Sequence, residues 1–489
     1  MYVVAKKLVI EKDLLRQINL FELLVQHEEL SGKELAKMIN ASERTVFSDI
    51  QSLRFMLPNG WAIDSGQRTG FKVITDYSMP LNDVWEHFFE MSIGTQLMKE
   101  LLYSNEVNVQ MFLQKVGISK ETLKRHVQRL NRALKEFKLK LHISSRIIQI
   151  TSSELSIRLF FHRLLLPFTT NNFFFDDYVI HASNYQRFLA RLERQGLGIK
   201  NEETFGLCWF FINTIRIKAN CPIVITIPNE HDELRNTYQI NLHQLYQSEG
   251  VTLDTTESFF AFFCYLESWN YYNSFNPTVK NILKKNYGEI FDHSVALTKK
   301  ISHSLQIPAL NDTDLSRNIA LLFLKYYESA ELFQQFLSEY PELLNMELNH
   351  SETLKDLLRE TFSREAPYSE WNLSEHIVDN LILLINEALS TIKLKKKNAY
   401  FIFQSEPSWK IFVYRELSNL FDAHINLIET NLSELASLNL DSDDIIIANH
   451  PINHTQVIYL SLIPTPSELQ TIKETVQPSI LEKGKEVAH

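Results

Sequence analysis

The stretch Ser119-Lys-Glu-Thr-Leu-Lys-Arg-His-Val-Gln-Arg-Leu-Asn-Arg-Ala-Leu134 decides how the first third of this 489-residue chain folds. Its serine is a helix N-cap residue, and Leu123, Val127, Leu130, Leu134 and Phe137 recur at helical spacing in a helix predicted to run to about Lys138. Arg125, Gln128, Arg129 and Arg132 fall on the other side, flanked by Lys124 and Lys135, with Lys120 in the first turn. One face is built to pack and the other is cationic. Just upstream, Asn108-Val-Gln-Met-Phe-Leu-Gln-Lys-Val-Gly117 reads as a shorter supporting helix stopped by its glycine. Downstream, Leu139 to Thr151 reads as a hairpin turning at Ser144-Ser145. The order helix, turn, helix, hairpin predicts a winged helix-turn-helix.

Moving toward the N-terminus, the same pattern occurs once more. Ser31-Gly-Lys-Glu-Leu-Ala-Lys-Met-Ile39 is a short capped helix, Asn40-Ala41 the turn, and Ser42-Glu-Arg-Thr-Val-Phe-Ser-Asp-Ile-Gln-Ser-Leu53 the second helix. Val46, Ile50, Leu53 and Leu57 point it at a core, leaving Arg44, Thr45, Ser48, Gln51 and Ser52 as candidates to reach base edges or phosphates. Trp61 to Thr75 is the expected wing, with Ser65-Gly66 at its turn and Arg68 beside it. Two consecutive winged units point to double-stranded DNA as the partner.

A net charge of −10 argues against nucleic acid only if it is spread evenly, and it is not. Residues 1–150 hold 21 Lys+Arg against 17 Asp+Glu, leaving 28 against 42 of the chain totals, 49 and 59, for the rest. A basic head joins an acidic body. Residues 118–140 alone carry eight Lys and Arg against two Glu, so the second recognition helix is expected to dominate affinity through phosphate contacts. Few polar groups on the first recognition helix predict modest sequence selectivity, with much of the recognition going through backbone and shape.

Length alone predicts several domains, because single cores rarely exceed about 250–300 residues. The composition, 45% hydrophobic and 22% charged, is that of a globular protein, and no run of about 18 uncharged apolar residues suggests a membrane span. With no secretion signal pattern at Met1 to Ile10, a soluble cytoplasmic protein is expected. Cys208, Cys221 and Cys264 are few and scattered, which favours reduced thiols over a disulfide framework or zinc site.

From Glu154 to about Leu394 the chain reads as helices, among them 156–166, 204–219, 256–267, 314–337 and 373–393, punctuated at Pro222 to Pro228, Asn276-Pro277 and Ile307-Pro308. The aromatic runs Phe173-Phe-Phe175 and Phe259-Phe-Ala-Phe-Phe263 read as bundle core. After the lysine-rich junction 393–397, strands at 399–403, 424–429, 444–448 and 456–462 alternate with helices at 408–420 and 466–476, a small α/β domain.

Two winged units, two helical modules and a terminal α/β domain in this order resemble the Mga/AtxA family of virulence-type transcriptional regulators. The more specific motifs are Ser42 to Leu53 and Ser119 to Leu130. The resemblance implies a multidomain, mainly α fold: winged helix-turn-helix domains at 1–76 and 77–155, phosphotransferase-system regulation (PRD-like) helical domains at 156–286 and 287–395, and an α/β domain at 396–489 similar to a IIB sugar-transporter component (EIIB-like). It further implies promoter DNA, RNA polymerase, a phosphotransferase-system phosphocarrier protein and a second copy of the chain, in a homodimer or larger assembly, as partners. Neither cofactor nor metal is expected.

Related regulation domains carry a phosphorylated histidine on the helix matched by Thr204 to Ala219, where this chain has Asn213 and Thr214. His376 is the leading candidate phosphorylation site, with His162, His181 and His303 behind it. In the terminal domain, Phe403-Gln-Ser-Glu-Pro407 occupies the place of the phosphorylated cysteine of a IIB enzyme, so a non-catalytic fold kept for subunit contacts is expected. An RNA-binding antiterminator is the competing reading, since regulation domains occur there too, although such proteins begin with a small β-rich domain. An enzyme is disfavoured by the absence of a glycine-rich phosphate loop, zinc spacing or serine elbow, and His450 with His454 lacks a third metal ligand.

Overall fold

In the computed structural model, the residues described are 3–65, 70–75, 81–169, 174–175, 180–228, 232–271, 275–337, 351–364, 375–392, 397–421, 425–435, 438, 440, 444–452, 457–465, 468–469 and 472. They form two compact units, residues 1–291 with 320–346, and residues 292–319 with 347–489.

The first unit opens with α1 (Val3–Leu8) and α2 (Lys12–Gln26), followed by β1 (Leu30–Ser31), α3 (Gly32–Met38), α4 (Glu43–Met56), β2 (Trp61–Ser65) and β3 (Gly70–Thr75). Helix α5 (Leu81–Glu90) leads to a second series: α6 (Ile93–Tyr103), β4 (Glu106–Asn108), α7 (Val109–Val116), α8 (Lys120–Leu134), β5 (Leu141–Ile143) and β6 (Ile147–Ile150). Both sheets have one topology, β1-β3-β2 and β4-β6-β5, antiparallel throughout. In each, a short strand entering the supporting helix pairs with the second strand of the wing. These two entering strands, of two and three residues, were not expected from the sequence. Helix α1 packs on α6 and α8 of the second winged unit, and Glu11 fastens that contact by accepting the Ile93 N–H at 2.9 Å and the Ser92 hydroxyl at 3.2 Å.

The cationic helix ends earlier than the expected Lys138. After Leu134 the chain makes a 3₁₀ turn over Lys135–Phe137, and Lys138 takes a left-handed φ of 58° so that buried Leu139 can lead into the wing.

Helices α9 (Glu154–Leu165), α10 (Ala182–Arg194), α11 (Glu203–Lys218), α12 (Glu233–Gln247), α13 (Thr255–Glu267) and α14 (Pro277–Asn286) follow. Every residue of the run Phe259 to Phe263 is buried, as expected of core. A chain of buried charges ties this bundle together and to the second winged unit. Fully buried Arg158 grips Glu257 through two bonds of 2.7 Å and donates to the Cys221 carbonyl at 3.0 Å, while Arg216 pairs with Glu154 at 2.8 and 2.9 Å. Arg216 then donates to the Leu101 and Leu102 carbonyls at 2.6 and 3.3 Å, satisfying the C-terminal end of α6, the helix leading into the second helix-turn-helix.

Helices α15 (Gly288–Ser304), α16 (Leu315–Glu328) and α17 (Ala330–Leu337) come next. The single helix expected over 314–337 is broken at Ser329, whose hydroxyl accepts the Leu332 N–H at 3.2 Å and so starts a new helix. In the second unit, helices span Ser351–Arg364, Glu375–Thr391, Pro407–Leu420 and Leu432–Leu435. Strands β7 (Lys397–Ile402), β8 (Ile425–Glu429), β9 (Ile445–Ala448) and β10 (Val457–Tyr459) make a wholly parallel sheet in the order β10-β9-β7-β8. Both faces are covered, one by a core of Phe401, Val413, Leu417 and Ile447, the other by Tyr400, Ile402 and Ile446. Of the helix expected over 466–476, only 468, 469 and 472 are described, and they are helical. Among the described residues no helix is long and apolar enough to cross a membrane, and the three cysteines are buried thiols outside any disulfide.

Candidate nucleic-acid interface

The helix-turn-helix corner needs the chain to reverse within three or four residues, which calls for a left-handed residue between the two helices. Asn40 (φ 53°) fills that role in the first unit and Gly117 (φ 68°) in the second. At Asn40 the closure is a Schellman motif, with Ala41 N–H reaching Ala36 O at 2.9 Å and Asn40 N–H reaching Lys37 O at 3.4 Å. Both recognition helices start with the same device. Ser42 accepts the Thr45 N–H at 3.1 Å and Ser119 the Thr122 N–H at 3.2 Å, each serine also bonding the threonine hydroxyl, at 2.8 and 3.0 Å. Supporting helix α3 is closed by a full capping box between Ser31 and Glu34, whose bonds to Ser31 hold the Glu34 carboxyl below its ordinary range.

On α4, Val46, Ile50 and Leu53 are buried, while Arg44, Ser48 and Gln51 are exposed on the far side. Two sequence candidates have other work. The Thr45 hydroxyl is spent on the cap, and half-buried Ser52 donates to the Ser48 carbonyl at 3.2 Å. Arg68 lies outside the described residues. Two exposed aromatics on α4 were missed: Phe47, 48% exposed, and Phe55, 89% exposed.

On α8, Leu123, Val127, Leu130 and Leu134 are buried, and Lys124, Arg125, Gln128, Arg129 and Arg132 are exposed. Lys135 is exposed too, but on the 3₁₀ turn beyond the helix. Arg129 donates to the Ile10 carbonyl at 3.2 Å, and Lys120, half-buried, reaches the Ser145 carbonyl of the wing at 3.5 Å. Arg125, Arg132 and Lys124 therefore make up the cationic face whose side chains are least tied to the protein. Burial, aided by Arg129 and Arg125, holds the His126 imidazole below its ordinary range against the pull of Glu11, so it adds no charge to this face at neutral pH.

The wings are braced from equivalent positions, each twelve residues after the capping serine. Arg54 donates to the Ile63 carbonyl at 3.0 Å and to the Ser65 hydroxyl at 2.9 Å, and Asn131 exchanges bonds of 2.9 and 2.7 Å with the backbone of Leu141. Neither was visible as a site residue in the sequence, although their matching distance from the caps was a usable signal. The second wing turns on Ser144, whose hydroxyl accepts the N–H groups of Arg146 and Ile147 at 3.1 and 3.0 Å, leaving the Arg146 side chain exposed at the tip.

The candidate phosphorylation sites are dispersed. His162 is fully buried, stacked on Trp209 with ring centres 4.2 Å apart and edge-on to Phe205, so its imidazole offers no accessible face. His181 is half exposed beside Glu249 at 3.2 Å, and His303 is exposed near the end of α15. The side chain of His376 lies outside the described residues. Asn213, on the helix where the resemblance would put a phosphohistidine, is a buried structural amide bonded to Arg158 and Tyr246, each at 3.3 Å. Among the described residues no group of His, Cys, Asp and Glu is gathered to hold a metal; His454 lies outside them.

Residues 77–165 match the Mga helix-turn-helix domain, and residues 16–72 match a family described as HTH domain. Residues 286–391 match a family described as "Non-canonical single-stranded DNA-binding domain". The capsule synthesis positive regulator AcpB of Bacillus anthracis is 22% identical over 157 residues, which is 32% of this chain and 32% of that protein. The alignment thus spans about a third of the curated relative it matches. With two winged units in series, the second of them matching the Mga helix-turn-helix domain, the chain is a multidomain, mainly α protein carrying two helix-turn-helix domains of the DNA-binding kind, similar in its N-terminal part to Mga-type regulators.

Proposed function

We propose that this protein is a transcriptional regulator, acting as an activator, that holds promoter DNA through its two winged units. The observation that carries the reading is the division of α8: a fully buried apolar stripe beneath a face of Lys124, Arg125 and Arg132, with a wing braced beside it and Arg146 at the wing tip. Such a helix lies in a major groove while the wing meets the neighbouring backbone. The name of the similar capsule regulator supports positive control. RNA polymerase is the partner an activator requires.

The helical modules are proposed to respond to the sugar phosphotransferase system, with His376, His303 and His181 as acceptors, because a phosphate on a near-neutral imidazole adds strong negative charge to a helix surface. The α/β domain is proposed to be EIIB-like and to join two subunits. Its parallel sheet and the exposed Ile411, Phe412, Leu462 and Ile463 support that use. A second reading has an observation of its own: residues 286–391, by their family match, engage single-stranded DNA, a reading that competes with a regulation domain there.

Competition among duplex DNA, single-stranded DNA and RNA of one sequence for the purified full chain tests these readings. Duplex preference abolished by substitutions on α8 supports the regulator. Preference for RNA favours the antiterminator, and single-strand binding that survives loss of α8 charge favours the second reading.

A further inference from the structure

We propose that Phe47 reads the 5-methyl group of a thymine in the major groove, which makes α4 the base-selective helix of the pair. The assignment rests on the duplex-binding reading above. Helix α4 is poorly equipped to hold phosphates: Asp49 is buried against Arg16 at 2.5 and 2.9 Å, Arg54 is spent on the wing, and Glu43 and Arg44 are its other charged side chains. Its outward stripe is Arg44, Ser48 and Gln51, with Phe47 alongside.

Arginine pairs with guanine, glutamine with adenine, and an apolar side chain suits the thymine methyl. Leaving a phenyl ring half in water is unfavourable, and here the ring does not fold back into the core. It is held edge-on to Phe71 of β3 with centres 5.4 Å apart, and it lies so close to Gly32 that a β-carbon there would touch it at 3.2 Å. Both neighbours fix one side of the ring and leave the other presented. Position counts as well. Phe47 lies near the N-terminal end of α4, the part of a recognition helix that meets base edges, whereas Phe55 sits about 12 Å further along at 1.5 Å per residue.

The test uses the full chain and the tightest duplex selected by it from a random pool, synthesised with each thymine in turn replaced by deoxyuridine, which removes only the methyl group. Wild type is expected to lose roughly four-fold in affinity at one position per bound α4, about 0.8 kcal/mol, the value of one buried methylene-sized group. Phe47→Ala should bind thymine and uracil duplexes equally, Phe47→Leu should keep part of the discrimination, and Phe55→Ala should keep all of it. If no thymine position matters to wild type, or if Phe47→Ala still discriminates, the assignment is overturned while duplex binding stands. A wild-type chain that binds no duplex overturns both.

Discussion

Replacing Glu257 by leucine should destabilise the first unit by about 3–5 kcal/mol, the usual loss when one partner of a buried ion pair is removed. The structure explains why the loss should be at the upper end of what a single substitution does. Glu257 receives both terminal nitrogens of fully buried Arg158 at 2.7 Å and the Ile223 N–H at 2.9 Å. Without it, the guanidinium keeps only Glu154 at 3.1 Å, already shared with Arg216, together with the Asn213 and Cys221 oxygens. Arg158→Met alone should also be costly, because Glu257 is itself buried. The pair of substitutions should cost at least about 2 kcal/mol less than the sum of the single losses, since neither charge is then stranded. Urea unfolding followed by tryptophan fluorescence provides the readout, with Trp209 and Trp269 buried in this bundle. Losses below about 1 kcal/mol for Glu257→Leu, or strict additivity of the pair, would refute the reasoning.

Other expected outcomes concern pH, the wings and the caps. The Tyr287 hydroxyl lies 2.5 Å from Asp232 and 2.8 Å from Glu328; its one proton cannot serve both carboxylates, and burial, with Asp232 beside it, pushes Glu328 up to about 8. A carboxyl that binds its proton more tightly when folded contributes stability that is full below its unfolded value near 4.5 and fades as pH rises toward 8, so the protein should lose stability over that window and Glu328→Gln should flatten the profile, as thermal melts from about pH 5 to 9 would reveal. Asn131→Ala frees the backbone of Leu141 and should lower stability by about 1–3 kcal/mol while raising amide exchange in β5, against which an unchanged exchange pattern would count. Ser119→Ala should remove about 1 kcal/mol of helix capping, with Ser119→Asp restoring it in denaturation curves. Arg146→Ala at the wing tip should weaken duplex binding evenly across sequences and reduce the salt slope by about one unit; a change in sequence preference without a change in slope would contradict that role.

What was legible in the sequence was local. Serine caps at 31, 42 and 119, the turn residues Asn40 and Gly117, and the apolar stripe Leu123 to Leu134 each act within one or two helical turns, so spacing alone exposes them. The alternation of strands and helices in the α/β unit was likewise readable, whereas the parallel order of its sheet comes from the fold. Long-range pairing was not. Strands β1 and β4 are too short to carry a periodic signal and exist because β3 and β6 pair with them. Arg129 was placed on the correct face, yet its bond to the Ile10 carbonyl bridges 119 residues and has no trace in its own neighbourhood. Arg158 and Arg216 read as ordinary helix charges; their burial depends on Glu257, 99 residues from Arg158, and on Glu154, 62 residues from Arg216. Phe47 was missed for a related reason, because a phenylalanine next to an apolar stripe reads as core until the fold shows one side of it open.

The central claim is that α8 anchors the protein on duplex DNA through Lys124, Arg125 and Arg132. Its most direct test is duplex affinity measured from low to moderate salt for wild type and for the Lys124/Arg125/Arg132→Ala variant, with circular dichroism confirming that both are folded. The account predicts a steep salt dependence for wild type and a slope shallower by roughly 2–3 units in the variant, about 0.9 for each phosphate that the variant leaves unneutralised. Equal slopes and equal affinities for the two proteins would contradict it.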